Sequence, residues 1–176
     1  YNRMYDPAPV PAPRRATTPA DEAAIHPFVG LDHNSVRYVG DMSDDDLAKL
    51  RATYYGLITE VDDNIGRLVA ALKAGGQYDN SLIVITSDHG DTIGDHWVVG
   101  KASYYDSAYH VPLIVRAPGA EWDAGRGTVV DAFAENIDIM PTILDLMGLP
   151  VPVQCDGYSL RGFLDGGTPA RWRDEV

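Results

Sequence analysis

The sequence predicts an α/β protein in which a mainly parallel β-sheet carries helices on its faces. Two short, apolar, β-branched segments occupy the middle of the chain, and stretches with helical periodicity lie before and after them. Elements of both kinds along one chain are typical of layered α/β architectures, because each helix buries its apolar side against a face of the sheet. With 176 residues and 45% hydrophobic residues, the chain can form a substantial core.

The beginning of the chain, residues 1–42, is predicted to be an extended, proline-rich lead-in. A proline removes an amide N–H and clashes with helical backbone, so repeated prolines favour an extended path. The prolines of the opening stretch are Pro7, Pro9, Pro11, Pro13 and Pro19. The segment is either a disordered linker or a strap that crosses a neighbouring surface. The remainder, residues 43–176, is interpreted as part of an α/β domain.

A long helix is predicted to begin after Ser43 and to end at Gly75-Gly76. Ser43 is a suitable N-cap, and Asp46 three places later places negative charge in the first turn. Apolar residues recur at steps of three and four through the segment, which gives the helix one apolar face. The glycine pair ends it because glycine readily adopts the left-handed conformation of a helix C-terminus.

Three strands and a further helix are predicted downstream. Residues 81–87 are apolar on both faces, as in a central strand of a covered parallel sheet. Residues 112–119 form a second strand with a closing turn, and residues 127–133 a third. A helix follows over residues 136–147 and ends at Gly148.

The side chains best suited to chemistry follow the first strand. Asp88, His89 and Gly90 stand at its carboxyl end, where open α/β sheets bind ligands. A carboxylate oxygen and an imidazole nitrogen can share one divalent ion, and Gly90 permits a tight turn. The alternative is an ordinary capped turn without metal.

Two further candidates follow in the same loop. Lys101, thirteen residues after Asp88, can return to the pocket and hold a phosphate or sulfate oxygen as a point charge; otherwise it is a solvated surface lysine. His96 is either a further ligand or a residue that packs within the loop.

Charge and cysteine content narrow the partners. The net charge of −12 disfavours nucleic acid and anionic membranes. A small anionic ester would need a metal ion or a lysine to reverse the local field. The single cysteine, Cys155, excludes an internal disulfide and fits a reducing compartment, so a cytoplasmic location is expected. No signal peptide is apparent, and both chain ends suggest a piece of a longer protein.

From about residue 54 to residue 160 the chain resembles the sulfatase branch of the alkaline phosphatase superfamily. The segments that carry the resemblance stand in the family's order: residues 54–68, 82–90, 94–101, 111–115, 137–145 and 156–160. His89, where many sulfatases have asparagine, and residues 1–7 resemble the phosphonate monoester hydrolases. The resemblance therefore implies the C-terminal portion of such an enzyme, with a partial alkaline-phosphatase-like fold.

The resemblance also implies roles for individual residues. Asp88 and His89 would bind a divalent metal (Ca, Mn, Mg or Zn), and Lys101 would contact the transferred group. The family's nucleophile is a formylglycine made in a Cys/Ser-x-Pro-x-Arg motif, which this sequence lacks. Cys155 is followed by Asp156 and Gly157 and is expected to be an ordinary thiol. This chain by itself is therefore expected to be inactive and to bind metal weakly.

The expected function is hydrolysis of phosphonate, phosphate or sulfate esters by the intact protein. Two alternatives stay open: a two-metal phosphatase or phosphomutase relative, and a non-catalytic assembly or interaction domain. If an N-terminal half is missing, apolar surfaces would be exposed. Association with that half, or with further copies of the chain, is then expected.

Overall fold

The computed structural model describes residues 1–35, 37–101 and 104–176. The chain divides into two compact units. The first comprises Tyr1–Ala71 and Ser87–Pro112, and the second comprises Leu72–Thr86 and Leu113–Val176.

The first unit is mainly helical. Its helices are α1 (Pro19–Ala23), α2 (Pro27–His33), most of α3 (Asp44–Ala74) and α4 (Asp106–Tyr109), with a 3-10 turn at Asp95–Trp97. The prediction of an extended lead-in is therefore wrong for residues 19–33. Pro19 and Pro27 each stand at the start of a helix, where a missing N–H costs nothing.

Helix α3 forms as the sequence predicts. The Ser43 hydroxyl accepts a hydrogen bond from the Asp46 N–H at 3.2 Å and so caps the first turn. At the other end Gly76 adopts φ 65°, and its N–H donates to the Lys73 carbonyl at 3.1 Å. Beyond Gly56 the helix exposes apolar side chains, which are Leu57, Ile58, Val61 and Leu68.

The second unit contains the only two strands of the described part of the chain, β1 (Ile83–Thr86) and β2 (Leu113–Arg116). They pair antiparallel, with Ile83 opposite Arg116 and Thr86 opposite Leu113. The parallel pairing predicted for residues 81–87 is thus wrong for this pair. An apolar pattern identifies a strand but does not encode the direction of its neighbour. Residues 127–133, predicted as a third strand, form none.

The helices of the second unit are α5 (Ile139–Leu146) and α6 (Arg161–Leu164). The 3-10 turns are Tyr78–Asn80, Ala120–Gly125 and Asn136–Asp138. Together the 3-10 turn at Asn136–Asp138 and α5 match the helix predicted for residues 136–147. Gly148 ends it with φ 68°, as expected.

The buried carboxylate of Asp138 organises this unit. It is fully buried, and Arg173 donates to it from both terminal nitrogens, at 2.6 and 2.7 Å. The backbone N–H groups of Glu135 and Tyr158 donate to the same carboxylate, each at 2.8 Å. The start of α5, the residue 158 segment and the C-terminal segment are thereby joined at one side chain.

A second contact fastens the same segments. The Thr142 hydroxyl donates to the Asp138 carbonyl at 2.6 Å and accepts from the Leu160 N–H at 2.8 Å. A β-carbon on Gly157 would lie 2.1 Å from the Ile137 carbonyl oxygen, so only glycine allows this approach. The segments 137–145 and 156–160, which carry part of the family resemblance, therefore bind each other.

Within the described residues, no helix combines the length and apolar character needed to cross a membrane.

Replacing Arg173 by methionine should strongly destabilise the protein. The substitution leaves the Asp138 carboxylate buried without its cation, which typically costs about 3–5 kcal/mol. The measurement is the free energy of unfolding from urea denaturation at neutral pH. Arg171→Met, the same change at an exposed arginine two residues away, serves as the control and should change stability little. Equal small effects of both substitutions would contradict the importance of the Asp138 contact.

Candidate functional site

The turn after β1 brings two potential ligand atoms together. The Nε2 atom of His89 lies 3.5 Å from Oδ2 of Asp88. The His89 backbone N–H donates to Asp88 Oδ1 at 3.0 Å, which fixes the carboxylate beside the imidazole. The side chain of Asp88 is 85% exposed and that of His89 38% exposed, so both can be reached from outside this unit.

The imidazole of His89 is oriented by its other nitrogen. Nδ1 lies 2.8 Å from the Gly90 carbonyl oxygen. Because a carbonyl can only accept, Nδ1 carries the proton, and Nε2 keeps a lone pair beside the Asp88 carboxylate. Histidines that bind metals are commonly held in this way.

The geometry fits one shared divalent ion. Two ligands about 2.1 Å from the same ion are about 3.0–3.4 Å apart at octahedral or tetrahedral angles, close to the distance between these two atoms. The described residues contain no cluster of three or more potential ligands. Asp88 and His89 thus form a partial site that needs further ligands from elsewhere.

Gly90 allows the turn to approach α4 closely. Its N–H donates to the Ala108 carbonyl at 2.8 Å. A β-carbon at this position would lie 2.0 Å from the Ser107 carbonyl oxygen. Any other residue at position 90 would therefore displace the backbone next to His89.

The loop of residues 91–100 is closed by two side chains that the sequence analysis did not single out. The Asp91 carboxylate accepts from the Ile93 and Gly100 N–H groups at 3.0 and 2.8 Å. The buried Thr92 hydroxyl lies 2.9 Å from the Val98 carbonyl and 2.8 Å from the Gly100 carbonyl. These bonds turn the chain back, so that the next residue, Lys101, returns towards the turn.

Lys101 acts electrostatically on this turn. The hydrogen bond from the His89 N–H is the largest influence that lowers the pKa of Asp88, followed by the charge of protonated His89; the positive charge of Lys101 adds to both. The carboxylate is therefore ionised at neutral pH, the form that binds metal. The three residues singled out from the sequence thus lie in one unit, and their roles stay predictions.

His96 belongs to a different group of residues. Its Nδ1 lies 2.8 Å from Oε1 of Glu22, a side chain that is 3% exposed. Its ring stacks on Tyr105 with 3.5 Å between ring centroids. The structure thus places His96 in contacts within the loop and not beside Asp88. Nothing in the sequence pairs Glu22 with a residue 74 positions away.

Cys155 has a free, half-buried thiol, as the sequence analysis expected.

The comparisons with known proteins bear on this site. The family model for sulfatases matches residues 4–149. The chain belongs to the sulfatase family. A multifunctional alkaline phosphatase superfamily protein from Trinickia caryophylli is 40% identical to this sulfatase-family chain; the match covers all of the chain and 36% of that protein. An arylsulfatase from Clostridium perfringens is 35% identical, over 84% of the chain and 30% of the relative.

Solved structures of phosphonate monoester hydrolases are similar throughout the chain. The enzyme from Silicibacter pomeroyi matches with a TM-score of 0.90 and 49% identity, over 98% of this chain and 35% of its own. The enzyme from Agrobacterium radiobacter matches with a TM-score of 0.92 and 41% identity, over 99% and 36%. The expected family and the α/β, alkaline-phosphatase-like fold class are thereby confirmed. The sulfatase-family chain spans about a third of the length of these relatives.

Replacing Gly90 by alanine should weaken metal binding by the full-length protein at least about tenfold, because the turn that orients His89 must move. The measurement is metal affinity by competition with a chelator. Gly66→Ala is the matched control: its β-carbon would meet nothing within 4 Å, and within α3 it should raise stability by up to about 1 kcal/mol. Unchanged affinity in Gly90→Ala would show that the turn tolerates a side chain.

The contacts of Glu22 predict a loss of stability in acid. Burial raises the pKa of Glu22, but the Ala16 N–H and His96 outweigh it, so the pKa lies below its ordinary value of 4.5. A carboxylate with a depressed pKa stabilises the fold fully above pH 4.5, and this stabilisation is lost as the pH falls through the lower folded value. Urea midpoints between pH 7 and pH 3 should show a steeper decline for the wild type than for Glu22→Gln, which cannot titrate. Parallel declines would contradict this assignment.

Proposed function

We propose that the full-length protein hydrolyses phosphonate, phosphate or sulfate esters and that this chain supplies part of its metal and substrate site. Membership of the sulfatase family supports a hydrolase. The observation that carries the proposal is the pairing of Asp88 Oδ2 and His89 Nε2 at 3.5 Å, with the charge of Lys101 acting on Asp88.

Asp88 and His89 are proposed to hold a divalent cation. An oxygen and a nitrogen ligand suit calcium, manganese, magnesium or zinc, and two ligands do not select among them. When bound, such an ion would neutralise negative charge that develops on the ester oxygens during hydrolysis. The contribution of this chain is to keep the carboxylate ionised and the imidazole lone pair directed at the same point.

Lys101 is proposed to hold a non-bridging oxygen of the transferred phosphoryl or sulfuryl group. The chain carries a net charge of −12, so an anionic substrate is repelled unless positive charge is concentrated at the site. An ammonium group provides three N–H donors and a point charge, and its interaction strengthens as charge accumulates on the oxygens.

The nucleophile is proposed to lie outside these 176 residues. A formylglycine arises within a Cys/Ser-x-Pro-x-Arg motif, and the sequence around Cys155 does not match it. This chain alone should therefore have no hydrolytic activity, and the remaining metal ligands should accompany the nucleophile.

The exposed apolar side of α3 supports a proposal about assembly. Leu57, Val61 and Leu68 are 49%, 58% and 61% exposed and recur at helical spacing. An apolar stripe of this kind usually packs against another surface. We propose that the rest of the full-length protein, or another copy of it, covers this side.

Substitutions in the full-length protein test the site. Asp88→Asn and His89→Gln should lower both metal content and hydrolysis of a phosphonate monoester or an aryl sulfate. Lys101→Met should keep the metal and lower kcat/KM about 100-fold or more, because only the contact with the transferred group is lost. Elemental analysis and steady-state kinetics measure the two effects separately.

Matched controls are exposed residues of α3. Lys49→Met and Asp62→Asn repeat two of these substitutions away from the turn and should change neither metal content nor rate. Full activity of Lys101→Met, or full metal content in both Asp88→Asn and His89→Gln, would sink the proposed site. An intact protein that binds metal but hydrolyses none of the three ester classes would sink the proposed activity.

A further inference from the structure

The loop that leads to Lys101 has an unusual backbone. Ile93, His96 and Trp97 have φ angles of 43°, 57° and 64°, in the left-handed region that disfavours residues with a β-carbon. For a β-branched residue such as Ile93 the conformation is a clear outlier. Backbone of this kind persists only where surrounding contacts hold it, and it is concentrated at functional sites.

Residues 14–22, which we term the strap, hold this loop along its outer turn. The Arg14 N–H donates to Asp95 Oδ1 at 2.9 Å, and the Arg14 carbonyl accepts from the His96 N–H at 2.8 Å. The Trp97 indole N–H donates to the Ala16 carbonyl at 3.1 Å. The loop residues 95–97 are thus bonded in succession to the strap, and two of these three residues have left-handed backbone.

Glu22 joins the strap to the loop through a buried carboxylate. Its Oε2 accepts from the Ala16 N–H at 2.6 Å, and its Oε1 accepts from His96 Nδ1 at 2.8 Å. The guanidinium of Arg15 also lies 3.8 Å above the Trp97 ring. Because Glu22 is 3% exposed, removing its charge would leave the His96 ring without its buried acceptor.

His96 is enclosed by groups from other elements of the same unit. His33 of α2 donates from Nε2 to the His96 carbonyl at 2.9 Å. The Tyr105 ring lies parallel to the imidazole, with an interplanar angle of 2°. These contacts fix both the backbone and the ring of His96, so a change at Glu22 is transmitted to the loop.

The inner side of the loop connects His96 to Lys101. Arg51 of α3 donates to the Ile93 carbonyl at 2.9 Å and to Asp95 at 3.0 Å. The Asp91 carboxylate binds the Ile93 and Gly100 N–H groups together. Gly100 immediately precedes Lys101, so the conformation of residues 93–97 determines the direction in which Lys101 leaves the loop.

We propose that Glu22 is a positioning residue for Lys101: through His96 it holds the left-handed loop in the one conformation that places the Lys101 ammonium beside the Asp88–His89 turn. The inference rests on the proposed function for its kinetic consequence. Its structural part, the dependence of the loop and of Lys101 on Glu22, can be measured without catalysis. The metal ligands precede the loop and should keep their geometry when Glu22 is changed.

The first test compares the wild-type full-length protein with Glu22→Gln by hydrogen exchange. Exchange at the amides of Ile93, Gly94 and Gly100 should accelerate at least about tenfold, while exchange in α5 should stay the same. The rate at which an amine-reactive ester modifies Lys101, relative to Lys49 in the same sample, should also change. Glu60→Gln, at an exposed glutamate of α3, is the control and should alter neither quantity. Unchanged loop exchange and unchanged Lys101 reactivity in Glu22→Gln would overturn the inference.

The second test is a double-mutant cycle on hydrolysis. Glu22→Gln should lower kcat/KM about 10- to 100-fold with unchanged metal content, since a displacement of about 1 Å at a catalytic group has effects of this size. In the Lys101→Met background the same substitution should cause no further loss. Equal losses in both backgrounds would mean that Glu22 acts only on stability and would overturn the positioning role. If the wild type hydrolyses no ester, the proposed function fails, and the exchange and reactivity measurements still decide the inference about Glu22.

Discussion

The loop of residues 91–100 depends on one constraint, which is that buried peptide groups must find hydrogen-bond partners without a helix or a sheet around them. Thr92 and Asp91 meet this constraint by binding backbone groups at both ends of the loop. The return of the chain towards Asp88 and His89 follows from those bonds. If the loop opened, Lys101 would have no defined relation to the metal-binding turn.

The same constraint shapes the second unit, where a carboxylate replaces backbone partners. Asp138 accepts two backbone N–H groups and a bidentate guanidinium, so its burial leaves no polar atom of the carboxylate unsatisfied. A buried charge is tolerable only with such complete pairing. Two of the family-like segments, 137–145 and 156–160, therefore have a structural explanation in this chain, independent of any chemistry.

Charge is distributed unevenly with respect to the proposed function. The chain is strongly acidic, yet the turn at Asp88 and His89 lies within the influence of Lys101. A cation bound at the turn would extend this local reversal of charge, which an anionic ester requires. The buried Glu22 carboxylate, by contrast, pairs with His96 and serves the backbone of the loop.

The sequence by itself determined the local elements and the candidate ligands. Capping by Ser43 and Gly76 and the helical period predicted α3, and the resemblance of residues 88–101 to sulfatases identified Asp88, His89 and Lys101, because these signals lie within a few residues of one another. Only the tertiary structure decided the antiparallel pairing of β1 with β2, the left-handed backbone at Ile93 and the contact of Glu22 with His96. Each of these depends on contacts between residues distant in the chain, and no local periodicity or propensity encodes such contacts.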